Sequence, residues 1–114
     1  MFKERRAAAM RVAESLFAAE DAIDAALARV AELNATLVTA RADAKLSAVV
    51  GQDAFNVAAS SFAALARARC DIVETHKRLG EAKNQVGLRT VSVGDVGSCP
   101  PSGAIGANHL TAVA

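Results

Sequence analysis

The sequence predicts an all-α protein, a long antiparallel helical hairpin that pairs with a second copy in a four-helix bundle. Two observations indicate helices: residues 2–50 contain neither Gly nor Pro, and apolar residues recur at alternating steps of four and three in two long stretches. The third observation is Gly51, which stands between these stretches. A short connection between two long helices makes them antiparallel neighbours.

The first stretch predicts a helix over about residues 2–49. Its stripe mixes aliphatic side chains with alanine, and the spacing keeps every member on one helix face. The 28 alanines of the 114-residue chain favour helix formation and close helix packing. The members of this first stripe are Val12, Leu16, Ala19, Ile23, Ala26, Val30, Leu33, Leu37, Ala40 and Ala44.

The connection is predicted at about residues 50–53 and the second helix at about residues 53–86. Gly51 suits the left-handed residue that ends a helix, and Asp53 suits the N-cap of the next one. The second stripe has polar as well as apolar members. They are Phe55, Ala58, Phe62, Leu65, Arg69, Ile72, His76, Leu79, Lys83 and Val86.

A turn centred near Gly51 also predicts the register of the hairpin, because the numbers of two facing residues then add to twice 51, or about 102. In this register Leu16 faces Val86, and Asp24 faces Arg78, so that apolar residues meet and opposite charges pair. The predicted hairpin interface consists of Leu16, Ile23, Val30, Leu37, Phe62, Leu65, Ile72, Leu79 and Val86.

Each predicted helix carries a second stripe, of small residues. One hairpin leaves these stripes in water, whereas an isologous pair of hairpins covers them. The alternative is that alanine fills these positions only because of its high helix propensity. The predicted homodimer interface consists of Ala28, Ala31, Ala35, Val38, Ala63, Ala66, Cys70 and Val73.

Residues 87–114 are predicted to form an extended or disordered tail, because five glycines and both prolines of the chain lie there. Thr90–Val93 alternates like a short strand, which would let it lie along the start of helix one. Cys99 belongs to this tail. Cys70 is interpreted as an ordinary buried thiol, with a redox thiol or an intermolecular disulfide as the alternative.

The charge and hydropathy of the chain restrict its partners. A formal net charge of +1 argues against attraction of the whole protein to nucleic acid or membrane. No apolar run approaches the ~20 residues of a membrane span, so we expect no span and a cytoplasmic location.

A local basic patch gives one alternative function, because the hairpin brings the basic start of helix one and the basic end of helix two together. This patch would bind nucleic acid or an anionic surface, although acidic residues interspersed in it favour a solvated helix end. It consists of Lys3, Arg5, Arg6, Arg11, Lys77, Arg78, Lys83 and Arg89.

The segment Glu74–Gly80 resembles the phosphorylation site of histidine phosphotransfer domains, which carry their reactive His on a four-helix bundle. That family has a basic residue three positions after the His and a small residue four positions after it. Here Arg78 follows His76 by two positions and Gly80 follows it by four. The resemblance implies a phosphorelay role for His76, whereas its position in the second stripe indicates a packing residue.

Catalysis has little support elsewhere in the sequence. Glu74 and His76 lack the Glu-x-x-His spacing of a bundle di-metal site, and no Gly-rich phosphate loop or Ser-His-Asp set is present. We therefore predict no metal, no cofactor and no enzymatic activity. The predicted function is that of a non-catalytic interaction or assembly protein that binds a protein partner through its helical surfaces.

Overall fold

The computed structural model describes residues 1–88 and Cys99, and it contains two long α-helices. Helix α1 comprises Phe2–Asp43 and helix α2 comprises Gln52–Gln85. A turn of residues 44–51 connects them. The predicted all-α helical hairpin is confirmed. The predicted tail, including the strand-like Thr90–Val93, lies outside the described residues except for residues 87, 88 and 99.

Helix α1 ends at Asp43, six residues before the predicted end at residue 49. The backbone there forms a Schellman motif, in which Leu46 N–H donates to Arg41 C=O at 3.1 Å and Lys45 N–H donates to Ala42 C=O at 3.0 Å. Lys45 is the left-handed residue of this motif, with φ of 57°. Sequence analysis assigned that conformation to Gly51 because glycine adopts it without strain.

Gly51 instead lies at the start of α2, with φ of 71°, and its carbonyl accepts the first helical hydrogen bond from Phe55 N–H at 3.0 Å. Asp53 is inside the helix, and its carboxylate accepts a hydrogen bond from Ala54 N–H at 2.9 Å. The predicted capping roles of Gly51 and Asp53 are thus corrected. Gly51 stands at the N-cap of α2, and Asp53 is the second residue of that helix.

The end of α2 forms a second Schellman motif, with Gly87 as its left-handed residue at φ of 83°. Leu88 N–H donates to Lys83 C=O at 2.9 Å, and Gly87 N–H donates to Asn84 C=O at 3.1 Å. This geometry turns the chain immediately after α2. The turn directs Leu88 into a buried position.

The chain divides into two compact units, to which both helices contribute. The turn unit is Phe17–Arg69. The terminal unit consists of Met1–Leu16 and Cys70–Ala114, of which the structure describes residues 1–16, 70–88 and 99.

Within the turn unit, an ion pair across the helices reports the register. Arg69 Nε lies 2.8 Å from Asp24 Oδ1, and 24 and 69 add to 93. Arg41 Nη1 donates to Gln52 Oε1 at 3.0 Å, and 41 and 52 also add to 93. The predicted sum of about 102 is therefore wrong, and the predicted pairing of Asp24 with Arg78 is replaced by Asp24 with Arg69.

Within the terminal unit, Leu16 lines one cavity together with both Leu79 and Val86, which are one heptad apart. The predicted pairing of Leu16 with Val86 therefore stays a prediction there. A change of seven residues moves one heptad stripe by one repeat along the other, so apolar residues still meet apolar residues. The pattern alone could not distinguish the two registers.

The accessibility of α1 shows which side of the helix meets α2. Leu16 is buried, and Ile23, Val30 and Leu37 are half-buried. The residue four positions after each of these is also half-buried. The predicted stripe contains the residues at three positions instead, of which Ala19 and Ala26 are half-buried and Leu33 and Ala40 are exposed. The half-buried residues at four positions are Glu20, Leu27, Asn34 and Arg41.

In α2 the second stripe coincides with the accessibility pattern almost throughout, including its polar members. Arg69 and Lys83 are half-buried and His76 is buried. Of the predicted hairpin interface, Phe62 and Val86 remain exposed, at 37% and 47%. The other seven residues of that interface are buried or half-buried.

The two Schellman motifs predict opposite responses to glycine exchange. We expect Lys45→Gly to raise the free energy of unfolding by about 0.5–1 kcal/mol, since it relieves a left-handed non-glycine residue. We expect Gly87→Ala to lower it by about 1 kcal/mol through backbone strain alone, because no atom lies within 4 Å of the added Cβ. Urea denaturation followed by circular dichroism measures both. A destabilised Lys45→Gly variant would contradict the assigned end of α1.

The ion pair in the turn unit permits a direct test of register. A double-mutant cycle with Asp24→Asn and Arg69→Gln should give a coupling free energy of about 0.5–1 kcal/mol, as expected for a partly exposed pair. The control cycle combines Asp24→Asn with Arg78→Gln, the pair of the other register, and should give none. Coupling to Arg78 in place of Arg69 would restore the register predicted from the sequence.

Candidate functional site

The buried residues of the described chain are all in the terminal unit. They are Ala13, Leu16, His76 and Leu88, with exposures of 8%, 6%, 3% and 1%. The turn unit, all of whose residues are described, has no buried side chain; its seam residues are only half-buried. The two units therefore differ in the surfaces they leave to other molecules.

An open apolar groove of about 300 Å³ lies in the terminal unit, between the start of α1 and the end of α2. Alanines on both helices leave this space, because no large side chain fills it. Two cationic residues, Arg5 and Lys83, also line the groove. Its full lining among the described residues is Arg5, Ala8, Ala9, Val12, Ala13, Leu16, Leu79, Ala82, Lys83, Val86 and Leu88.

A disulfide joins Cys70 of α2 to Cys99, with the two Cα atoms 5.5 Å apart. This finding corrects the interpretation of Cys70 as a free buried thiol. The bond is intramolecular and closes a loop across 29 positions of sequence. Two single cysteines so far apart gave no spacing signal from which the pairing could be recognised.

His76, the phosphotransfer candidate, is 3% exposed in the terminal unit. A phosphoryl donor must reach an imidazole nitrogen in line, so a buried imidazole does not suit that chemistry. Gly80 is half-buried at the predicted offset from His76. The placement resembles that of a packing residue in the helical seam.

The residues of the predicted basic patch are described except for Arg89, which lies outside the described residues. Lys83 is half-buried and the other six are exposed. Acidic neighbours take part in ion pairs there: Arg78 pairs with Glu74 at 3.0 Å, and the N-terminal ammonium pairs with Glu4 at 2.7 Å. The hydrogen bond from that ammonium lowers the pKa of the Glu4 carboxyl. The patch is thus locally mixed in charge.

The turn unit presents the predicted small-residue face. Each of its residues directly follows a seam position, as Ala31 follows Val30 and Ala63 follows Phe62. In antiparallel helices the residues that follow the seam lie on the same side of the pair, so both rows share one face. The observed register brings Ala31 level with Ala63. The exposed members are Ala28, Ala31, Ala35, Val38, Ala59, Ala63 and Ala66.

The seam of the turn unit is polar at intervals. The hydrogen bond that Arg69 donates to the Asp24 carboxylate raises the pKa of the Arg69 guanidinium above its usual value. Asn34 Oδ1 is buried without a hydrogen-bond partner among the described residues. Such a group costs about 1–3 kcal/mol, and the turn unit has no buried apolar side chain to offset it.

Two kinds of site are absent from the described residues. In residues 1–88 and Cys99, no three His, Cys, Asp or Glu side chains are grouped so that they could hold a metal ion. Neither α1 nor α2 combines the length and the apolar character needed to cross a membrane.

Comparison with known proteins finds no matching protein-family model, curated protein or solved structure.

The disulfide predicts a stability that depends on redox conditions. Reduction should lower the free energy of unfolding by about 2–4 kcal/mol, because the unfolded chain loses the constraint of the closed loop. Urea denaturation with and without reductant measures this change. A variant with Cys70→Ser and Cys99→Ser is the control, and reductant should not affect it. Two titratable thiols per chain in the unreduced, denatured protein would contradict the pairing.

Proposed function

We propose that the protein is a non-catalytic assembly protein that forms a homodimer through the small-residue face of its turn unit. The observation that supports this proposal most directly is that no side chain of Phe17–Arg69 is buried. A helix pair of this length with only a half-buried seam gains little hydrophobic free energy from its own packing. A second copy supplies the missing contact area.

The chemistry of the face supports close approach of helices. Alanine side chains let two helix surfaces meet at short interaxial distance, and Val38, 43% exposed, adds a larger apolar side chain at one end. A two-fold axis on this face would pair it with itself, as an isologous interface requires. The interface that we propose consists of six residues predicted from the sequence and of Ala59. The six are Ala28, Ala31, Ala35, Val38, Ala63 and Ala66.

Two residues of the interface predicted from the sequence belong to the other unit. Cys70 and Val73 lie in the terminal unit, where both are half-buried and Cys70 is bonded to Cys99. The proposed contact therefore stops before them. We also propose that the assembled protein binds a further protein partner, which capture experiments would identify.

The disulfide bears on where such an assembly would work. The sequence-based prediction was a cytoplasmic location, yet disulfides persist in oxidising compartments and are rare in the cytosol. We therefore favour an oxidising compartment. The phosphorelay alternative is not adopted, because it needs an accessible His76. Binding of nucleic acid is not adopted either, because the basic patch is mixed in charge.

Dimerisation through this face predicts a specific effect of a buried charge. The wild-type chain should have about twice its mass of 11.7 kDa in light scattering or sedimentation equilibrium. Ala31→Glu should weaken the dimer on the order of 100-fold, because it would bury an unpaired carboxylate in the contact.

The matched control is Ala25→Glu, which introduces the same charge on the exposed side of α1 away from the seam. It should leave the mass unchanged, and circular dichroism should report equal helix content for both variants. A monomeric wild-type chain, or equal masses for the two variants, would overturn the proposed interface.

A further inference from the structure

We propose that the groove of the terminal unit binds a single-chain carboxylate, an alkyl chain with an anionic head group. The groove is bounded by α1, by α2 and by Val86 and Leu88 beyond the end of α2, and its lining among the described residues is apolar apart from two cationic residues. This inference does not depend on dimerisation, because every described lining residue belongs to the terminal unit.

The volume of the groove suits a ligand with one alkyl chain. Its volume of about 300 Å³ is at the lower end of the range of about 300–1,000 Å³ for small-molecule sites. Small alanine side chains form its walls, and Leu88, 1% exposed, is the most buried residue beside it. Val12 and Val86 line the groove but are each 47% exposed, so apolar surface there faces water. An alkyl chain would cover it.

The cationic residues in the lining of the groove favour a ligand with an anionic head group. Arg5 and Lys83 line the groove from opposite helices, and Arg5 supplies the charge that would hold an anionic head group. The Arg5 guanidinium has no ion pair or hydrogen bond with another described side chain, and its planar donors match a carboxylate in bidentate geometry. The carboxylate of Glu4, the residue before Arg5, pairs with the N-terminal ammonium.

The test titrates the full-length, disulfide-bonded protein with dodecanoate below its micelle concentration, by calorimetry. We expect saturable binding of one dodecanoate per chain. Affinity should rise about threefold to fourfold per methylene from octanoate to dodecanoate, as burial of a CH₂ predicts. Dodecanol, which has the chain without the charge, should bind about tenfold more weakly.

Variants locate the site. Arg5→Gln should weaken dodecanoate binding about tenfold, whereas Arg6→Gln, which removes the same charge from a neighbouring exposed residue outside the lining, should have little effect. Ala9→Phe should abolish binding because it fills the groove. Circular dichroism establishes that the variants are folded.

Four results would overturn the proposal. Dodecanol could bind as tightly as dodecanoate, or Arg6→Gln could act like Arg5→Gln, and either would exclude a specific carboxylate site. In the third, Ala9→Phe leaves dodecanoate binding intact, which would place the binding outside the groove. A changed sedimentation mass of that variant would then indicate that a second copy covers the groove. In the fourth, the protein binds vesicles that contain anionic lipid, and dodecanoate does not compete with this binding. That result would indicate a membrane surface as the ligand instead of a free carboxylate.

Discussion

The two backbone hydrogen bonds that end α1 determine which residues of the two helices meet. They run from Lys45 N–H to Ala42 C=O and from Leu46 N–H to Arg41 C=O, and they stop the helix while a helical sequence continues. The Arg41 side chain reinforces this end, since Nη1 also donates to Ala48 C=O at 2.7 Å and to Gln52 Oε1 at 3.0 Å. One side chain thus joins the end of α1, the turn and the start of α2.

The sequence was sufficient to predict the two helices and the stripe of α2, but it was not sufficient to predict their register. A heptad pattern is unchanged by a shift of one repeat, so only the position of the turn distinguishes the alternatives. That position depends on Lys45, a residue type that gives no sign of a left-handed conformation. Glu20, Asn34 and Arg41 were missed in the seam for a related reason, since a search for apolar spacing passes over polar residues that share it.

The candidate sites were predictable to different degrees. The small-residue face follows from spacing, and the register found in the structure still aligns its two rows because both follow seam positions. The groove was not predictable, since it depends on which alanines face each other and on the turn at Gly87 that buries Leu88. The disulfide was also missed. Pairing of Cys70 with Cys99 depends on the path of the chain after α2, about which periodicity says nothing.

The same residue type has opposite consequences in the two units. In the terminal unit, Leu16 is buried and adjacent alanines are too small to fill the space beside it, so a cavity forms. In the turn unit no side chain is buried, and alanines such as Ala31 and Ala63 are exposed on one face. A concave apolar surface with cations fits a small amphiphile, whereas an exposed row of small residues fits another helix. The burial of the neighbouring side chains, rather than composition, therefore distinguishes the ligand that we propose for the groove from the one that we propose for the small-residue face.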